Sequence, residues 1–151
     1  MMRTVAIASD HAGFALKEKL KAYLSGIGLK ALDLGTYSRE RCDYPRFAYI
    51  LARGISYAKF KKGILICKSG IGNSIVANKF PRVRAALCYN LKAARLSREH
   101  NDSNVLVLGS AFVDAGLAKR IVKVWLNTRF TGGRHKRRLN LIKSIEKEIR
   151  G

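Results

Sequence analysis

Cysteine is scarce in this chain, and what there is of it is scattered: Cys42, Cys67 and Cys88 form no CxxC pair. That argues against a disulfide framework and a structural zinc site, and it fits a reducing compartment. Proline is scarcer still, with 2 in 151 residues, and no Pro/Gly/Ser-rich stretch forms a linker. A single domain spanning 1–151 with one sizeable core is therefore expected. No apolar run exceeds strand length, and Met1 to Asp10 holds no apolar block before a small-residue cleavage site. Neither a membrane span nor a secretory signal is expected, and a cytoplasmic location is. The 3 histidines leave a metal site little beyond His11, His100 and carboxylates, without HExxH or similar spacing. No metal and no other cofactor is expected.

Acidic residues are also few: 10 Asp and Glu stand against 30 Lys and Arg, a formal net charge of +20. From Lys119 to Gly151 there are eleven Lys or Arg against two Glu, and RHKRR at 134–138 is the densest patch. Such a field attracts polyanions whether or not the fold is built to bind them. The chain lacks a paired-aromatic RNA-binding signature, a helix-turn-helix pattern and a zinc finger. A basic nucleic-acid-binding module is thus the alternative of another class, and no specific nucleic-acid partner is expected.

What is present alternates between two periods. TVAIAS (4–9), LKALDLG (29–35), GILIC (63–67), VRAALCY (83–89) and SNVLVLG (103–109) are short apolar runs of strand length. Between them, Leu16, Leu20 and Leu24 lie four apart on one helical face, Tyr44-Pro45 opens a helix to about Lys59, and Gly70 to Lys79 reads as a turn and short helix. A polar helix over Lys92 to Arg98 is followed by the segment Glu99 to Asp102, and 113–126 and 137–149 supply two last helices. Continuous apolar strands need cover on both faces, so a three-layer α/β sandwich is expected, with a five-stranded, mostly parallel, Rossmann-like sheet. Ligands of such sheets sit beyond the carboxyl ends of the strands, where Asp10, Cys67, Tyr89 and Gly109 should fall. The helix over 134–150 is extra to that architecture; its stripe of Leu141, Ile142, Ile145 and Ile149 is expected to pack on a second subunit.

The densest chemistry lies in GILICKSGIGNSIVANK (63–79), where a strand delivers Cys67 into a loop of Gly, Ser and Asn that opens a helix. The N–H groups of Ser69, Gly70, Ile71, Gly72 and Asn73 can hold a phosphate or a developing oxyanion. The run is neither GxGxxG nor GxxxxGK[ST], and the first strand ends in Asp10-His11-Ala12-Gly13 rather than a dinucleotide fingerprint. Asp10 and His11 form a strand-end acid/base pair facing the same crevice. Arg134 and Arg138, four apart, would share a helix face and could clamp a phosphate. Each has a plainer reading: Cys67 as a buried small hydrophobe, Asp10 and His11 as a helix cap, His100 as part of a capping loop, the two arginines as a solvated helix start.

Four separated motifs, DHAGFALK (10–17), the Cys-containing GILIC…GIG…S…ANK run, SREHNDSNVLVLG (97–109) and GGRHKRR (132–138), resemble the type B ribose-5-phosphate isomerases. The likeness runs in order from Val5 to the last helix. It implies a metal-free homodimer, or dimer of dimers, that interconverts D-ribose 5-phosphate and D-ribulose 5-phosphate through an enediolate at sites shared between two subunits. On that resemblance Cys67 is the general base, its thiolate eased by nearby donors and positive charge, and His100 opens the sugar ring with Asp10 close to the sugar oxygens. The Ser69 hydroxyl and the N–H groups of Gly70, Ile71, Gly72, Asn73 and Ser74 meet the enediolate, His11, Arg134 and Arg138 surround the phosphate, and Tyr44 and Asn101 contact the sugar. A related isomerase of six-carbon phosphates such as allose or galactose 6-phosphate is the nearest alternative.

Two residues depart from the family pattern. Lys68 stands where Gly is usual after the cysteine, and Ala111 stands where an Arg resembling a phosphate contact is usual. Lys68 is expected to supply some of the missing charge, and its backbone is either ordinary or strained at positive φ.

Overall fold

The computed structural model of the chain describes residues 3–151. Strands β1 (Thr4–Ser9), β2 (Lys30–Asp33), β3 (Gly63–Cys67), β4 (Ala85–Leu87) and β5 (Val105–Gly109) form one sheet in the order β2-β1-β3-β5-β4. Every neighbouring pair is parallel, so the sheet expected to be mostly parallel is wholly so. Six helices connect or follow the strands: α1 (Phe14–Gly26), α2 (Tyr44–Ser56), α3 (Ile71–Ala77), α4 (Leu91–Asn101), α5 (Ala115–Asn127) and α6 (Arg134–Arg150).

β3 and β5 are buried at every residue, which is why they read as unbroken apolar runs rather than alternating ones. Ile7, Ile64, Ile66, Leu106 and Leu108 point to one face, where Leu16, Leu20 and Leu24 of α1 meet Ile121, Val122 and Trp125 of α5. Ala6, Ala8, Leu65, Val105 and Val107 point to the other, against Ala48, Leu51, Ala52 and Ile55 of α2 and Ala77 of α3. Each fully buried Leu or Ile contributes about 1.5–3 kcal/mol relative to exposure. The chain leaves β1 toward β2 on one side and returns to β3 on the other, so the carboxyl ends of β1 and β3 flank the topological switch point.

One boundary differs from the sequence reading. α4 continues through His100 and Asn101, which are helical and not part of a loop. Asn90 caps the helix by accepting from the Ala93 N–H (2.8 Å), Arg98 pairs with Asp102 one turn on (2.8 Å), and the left-handed Asp102 (φ 45°) ends it. α6 starts at Arg134, after Gly132 and Gly133 turn the chain at φ 69° and 57°, which only glycine adopts readily. No residue of α6 is buried, and Leu141, Ile142, Ile145 and Ile149 are 52–79% exposed. Among the described residues, no helix is long and apolar enough to cross a membrane.

Candidate active site

The residues singled out from the sequence fall into two groups at opposite edges of the sheet. The first lies at the switch point. Asp10 follows directly on β1, buried, and its Oδ1 accepts the Gly13 N–H at 3.0 Å. A Cβ at Gly13 would stand 2.7 Å from the Ile66 carbonyl oxygen, so this glycine lets the start of α1 press against β3. Cys67 ends β3 in register with Gly109 of β5 and is 4% exposed. The Gly70 N–H donates to its Sγ at 3.2 Å.

The Cys67 thiol is pushed above its ordinary range, by burial first and also by the nearby Asp10 carboxylate. The N–H groups of Asn73, Gly70 and Ser69 pull the other way without prevailing. The easing of the thiolate expected from the sequence is therefore outweighed by desolvation in the free chain. This balance depends on depth, which residue identity does not encode.

The loop after Cys67 is held from several sides. Gly70 adopts φ 83°, and a Cβ there would meet Leu87 and the Leu108 backbone. The Ser69 Oγ accepts the Ile71 N–H (3.1 Å), leaving the hydroxyl proton free to donate outward, and the Ser74 N–H closes the first turn of α3 on the Gly70 carbonyl (3.0 Å). Of the expected donors, the Gly70, Ile71 and Ser74 N–H groups thus already have partners within the loop. The Tyr89 hydroxyl donates to the Ser69 carbonyl (2.8 Å), with its ring stacked on Phe112. Gly72 has no side chain because the Tyr44 ring occupies that space. Asn73 is 1% exposed, and its Oδ1 has no hydrogen-bond partner among the described residues.

Lys68 takes an ordinary negative φ, since the non-glycine residues at positive φ are Ala58, Arg82 and Asp102. Its side chain is exposed, and its carbonyl accepts the Ala111 N–H at 2.9 Å. The two departures from the family pattern are therefore neighbours at the same end of the sheet. His11 lies beside Cys42, whose backbone N–H approaches its Nδ1 at 3.2 Å. The Cys42 carbonyl oxygen lies 3.1 Å from the same Nδ1, so the Cys42 backbone fixes the ring on that side and leaves Nε2 facing away from it.

The second group is His100, Asn101, Arg134 and Arg138. α4 leaves the carboxyl end of β4 and finishes where β5 begins, so His100 and Asn101 sit at the amino edge. Arg84, just before β4, confirms that position by donating to the carbonyls of Asn101 (3.1 Å) and Asp102 (2.9 Å). Arg134 and Arg138 occupy one face of α6, both exposed, as their spacing predicted. The five-residue strands β3 and β5 separate the two edges by roughly 13 Å or more. Cys67 and His100 of one chain therefore do not meet.

Sequence reasoning missed three contacts. The His135 ring stacks on His100 with centroids 4.2 Å apart, and burial together with His100, Arg134 and Arg138 holds its pKa below the ordinary imidazole value. The Tyr89 hydroxyl braces the loop, and the Ser110 hydroxyl donates to the Ala12 carbonyl (3.0 Å), tying β5 to the Asp10 loop. The GGRH sequence places His135 beside Arg134 in the chain, but no local signal pairs it with His100. Among the described residues, no three His, Cys, Asp or Glu converge as a metal-ligand set.

Residues 5–142 match the profile of the family described as Ribose/Galactose Isomerase. Ribose-5-phosphate isomerase B of Escherichia coli is 46% identical over 145 residues, covering 96% of this chain and 97% of that protein. The structure of Clostridium thermocellum ribose-5-phosphate isomerase B superposes with a TM-score of 0.94 at 44% identity, covering 97% of this chain and 99% of the other. The Mycoplasma genitalium ribose-5-phosphate isomerase B structure, with bound ribulose-5-phosphate, gives a TM-score of 0.92 at 40% identity over 98% of this chain and 99% of that one. With agreement of that breadth in sequence and in fold, the chain belongs to the ribose/galactose isomerase family.

Proposed function

We propose that the whole chain acts as one sugar-phosphate isomerase domain that interconverts D-ribose 5-phosphate and D-ribulose 5-phosphate. The observation that carries the reading is the switch-point crevice, where the Cys67 sulfur and the Asp10 carboxylate lie beside a loop rich in N–H donors. The names of close, nearly full-length relatives supply the substrate class.

Cys67 as thiolate takes the proton from C2 of the open-chain aldose, and the electron pair forms the C1–C2 double bond of a cis-enediolate. Delivery of a proton to C1, with transfer between the two oxygens, completes the ketose. The Ser69 hydroxyl, whose lone pair is held by the Ile71 N–H, is oriented to donate to the enediolate oxygen. This contact strengthens as charge develops, so it acts on turnover more than on binding. The buried, unpartnered Asn73 Oδ1 offers an acceptor to a sugar hydroxyl. Tyr44 closes the same wall through Gly72. His11, its Nδ1 held at the Cys42 backbone, turns Nε2 to the phosphate, and Lys68 brings a cation to the Ala111 side.

Ring opening by His100, sugar contact by Asn101 and phosphate clamping by Arg134 and Arg138 require these groups at a Cys67 crevice. Since one chain holds the two groups at opposite sheet edges, they act on the crevice of a second copy, as a homodimer or a dimer of dimers. The exposed apolar stripe of α6 supports that pairing.

The test is turnover of ribose 5-phosphate by wild type, Cys67→Ala and Lys68→Gly, with chelator present and a six-carbon phosphate as comparison. Expected are chelator-resistant five-carbon turnover, at least a hundredfold loss in Cys67→Ala, and a raised KM in Lys68→Gly. Preference for the six-carbon substrate would move the reading to a galactose- or allose-phosphate isomerase; an unchanged KM would remove Lys68 from the phosphate site.

A further inference from the structure

Seven of the chain's 30 Lys and Arg gather at a place to which the isomerase reading assigns no role. A groove of about 620 Å³ lies at the amino edge of the sheet, between α6 and the entries to β3, β4 and β5. That size suits a nucleotide. Its lining carries seven Lys or Arg against two carboxylates, Asp102 and Glu146. Both carboxylates are engaged: Asp102 with Arg98 (2.8 Å) and Arg84 (3.4 Å), Glu146 with the Arg82 N–H (3.2 Å). Lys61, Lys62, Lys136 and Lys143 have no ion-pair partner among the described residues.

Like charges gathered in a concave site repel one another, and the cost rises as water is withdrawn. Lys62 bears it most visibly. Its ammonium lies 5.3 Å from the Trp125 ring centroid, and its pKa falls to about 8, by burial first and then by Arg98 and Arg3, with Asp102 opposing. A charge held at such cost is stabilised when an anion enters. Between the cations the groove is apolar: Phe60, Phe130, Val83 and Leu139 line it. A sugar phosphate has nothing to place on that surface, whereas a purine does, and its phosphates would reach the lysines.

We propose that this groove is a second binding site, separate from the Cys67 crevice, for a nucleoside polyphosphate, with the base on Phe60 and Phe130 and the phosphates on Lys61, Lys62, Lys136 and Lys143. The site needs no contribution from the isomerase chemistry, so it stands or falls apart from it.

Calorimetric titration of the full chain at physiological salt with ATP, inorganic tripolyphosphate and adenosine tests it. ATP binds, tripolyphosphate binds at least about tenfold more weakly, and adenosine alone does not bind. The exposed pair Lys61→Glu and Lys143→Glu together weakens ATP binding at least about tenfold, while the charge-matched pair Lys19→Glu and Lys123→Glu, exposed on α1 and α5, leaves it unchanged. At pH 8 the complex takes up protons, because the phosphates raise Lys62 against Arg98 and Arg3, and Lys62→Met abolishes that uptake while remaining folded by circular dichroism. Absence of ATP binding, equal affinity for ATP and tripolyphosphate, or equal loss in both double variants would overturn the proposal, the last by exposing it as attraction to net charge.

Discussion

The Cys67 sulfur sits where two opposite demands meet. As the proposed base it must be buried enough to work in a water-poor crevice and ionised enough to accept a carbon-bound proton. In the free chain burial and Asp10 win, so the thiolate is the minor form at neutral pH. The reactive form gains population as pH rises, and kcat/KM should climb toward a limb above the ordinary thiol value. Asp10→Asn removes a carboxylate that disfavours the thiolate, so its limb should move to lower pH even as its plateau falls through loss of the proposed sugar contact. A pH–rate series on both proteins checks this, and an unshifted limb in Asp10→Asn would mean that the two groups do not interact. The pH dependence separates this from simple damage, because a misfolded crevice lowers the plateau without moving the limb.

At the scale of elements, the loop that carries Cys42 and leads into Tyr44 is anchored by an ion pair at its root. Lys17 of α1 is fully buried and meets Asp33 at the end of β2 at 2.6 Å; Asp33 also binds Lys21 (2.8 Å) and the Gly35 N–H (2.9 Å). Burial alone would raise the Asp33 carboxyl, but Lys17 and Lys21 overcome it and hold it below the usual carboxylate range. A carboxyl depressed by folding adds stability that is full above its unfolded pKa and is lost as pH falls through the folded one. Lys17→Met removes one lowering partner and keeps the burial. It should cost on the order of 2–3 kcal/mol at pH 7, less than an uncompensated break because Lys21 stays on the same carboxylate. Urea unfolding at pH 7 and pH 4 measures this, and the acid transition of the variant should begin at higher pH. The same elements show what was legible in the sequence. β1, β3, β5 and the Leu16-Leu20-Leu24 stripe were readable because burial on both faces, or on one helical stripe, imposes a local pattern. Cys67 and Asp10 were readable as strand-end residues for the same reason. The helical placement of His100 was not, because Arg98–Asp102 and the Asn90 cap extend α4 through a polar stretch that looks like a loop. Buried Lys17 gave no signal, since its partner Asp33 lies 16 residues away and only the β2 register brings them together.

Across the whole molecule, topology decides more than any single residue. Parallel strands place every α-to-β junction at the amino edge and every β-to-α junction at the carboxyl edge. His100 precedes a strand and Cys67 ends one, so no rearrangement of side chains within one chain can join them. A two-fold pair of chains can, because in an isologous interface each edge of one copy may face the other edge of its partner. This gives a prediction that inactivated chains should verify. Cys67→Ala retains His100, and His100→Ala retains Cys67; each alone has both of its sites damaged. After mixing, unfolding and refolding at equal amounts, half of the dimers are hybrids, and each hybrid holds one site built only from intact residues and one with both residues lost. Activity should therefore return to about one quarter of wild type by random two-fold pairing. A double variant carrying both changes, mixed with wild type, restores nothing beyond the wild-type contribution and serves as the control. If the mixed single variants stay inactive while both fold and dimerise, the site is not shared. In that case His100 acts elsewhere, and its stacking with His135 would be a packing contact between α4 and α6.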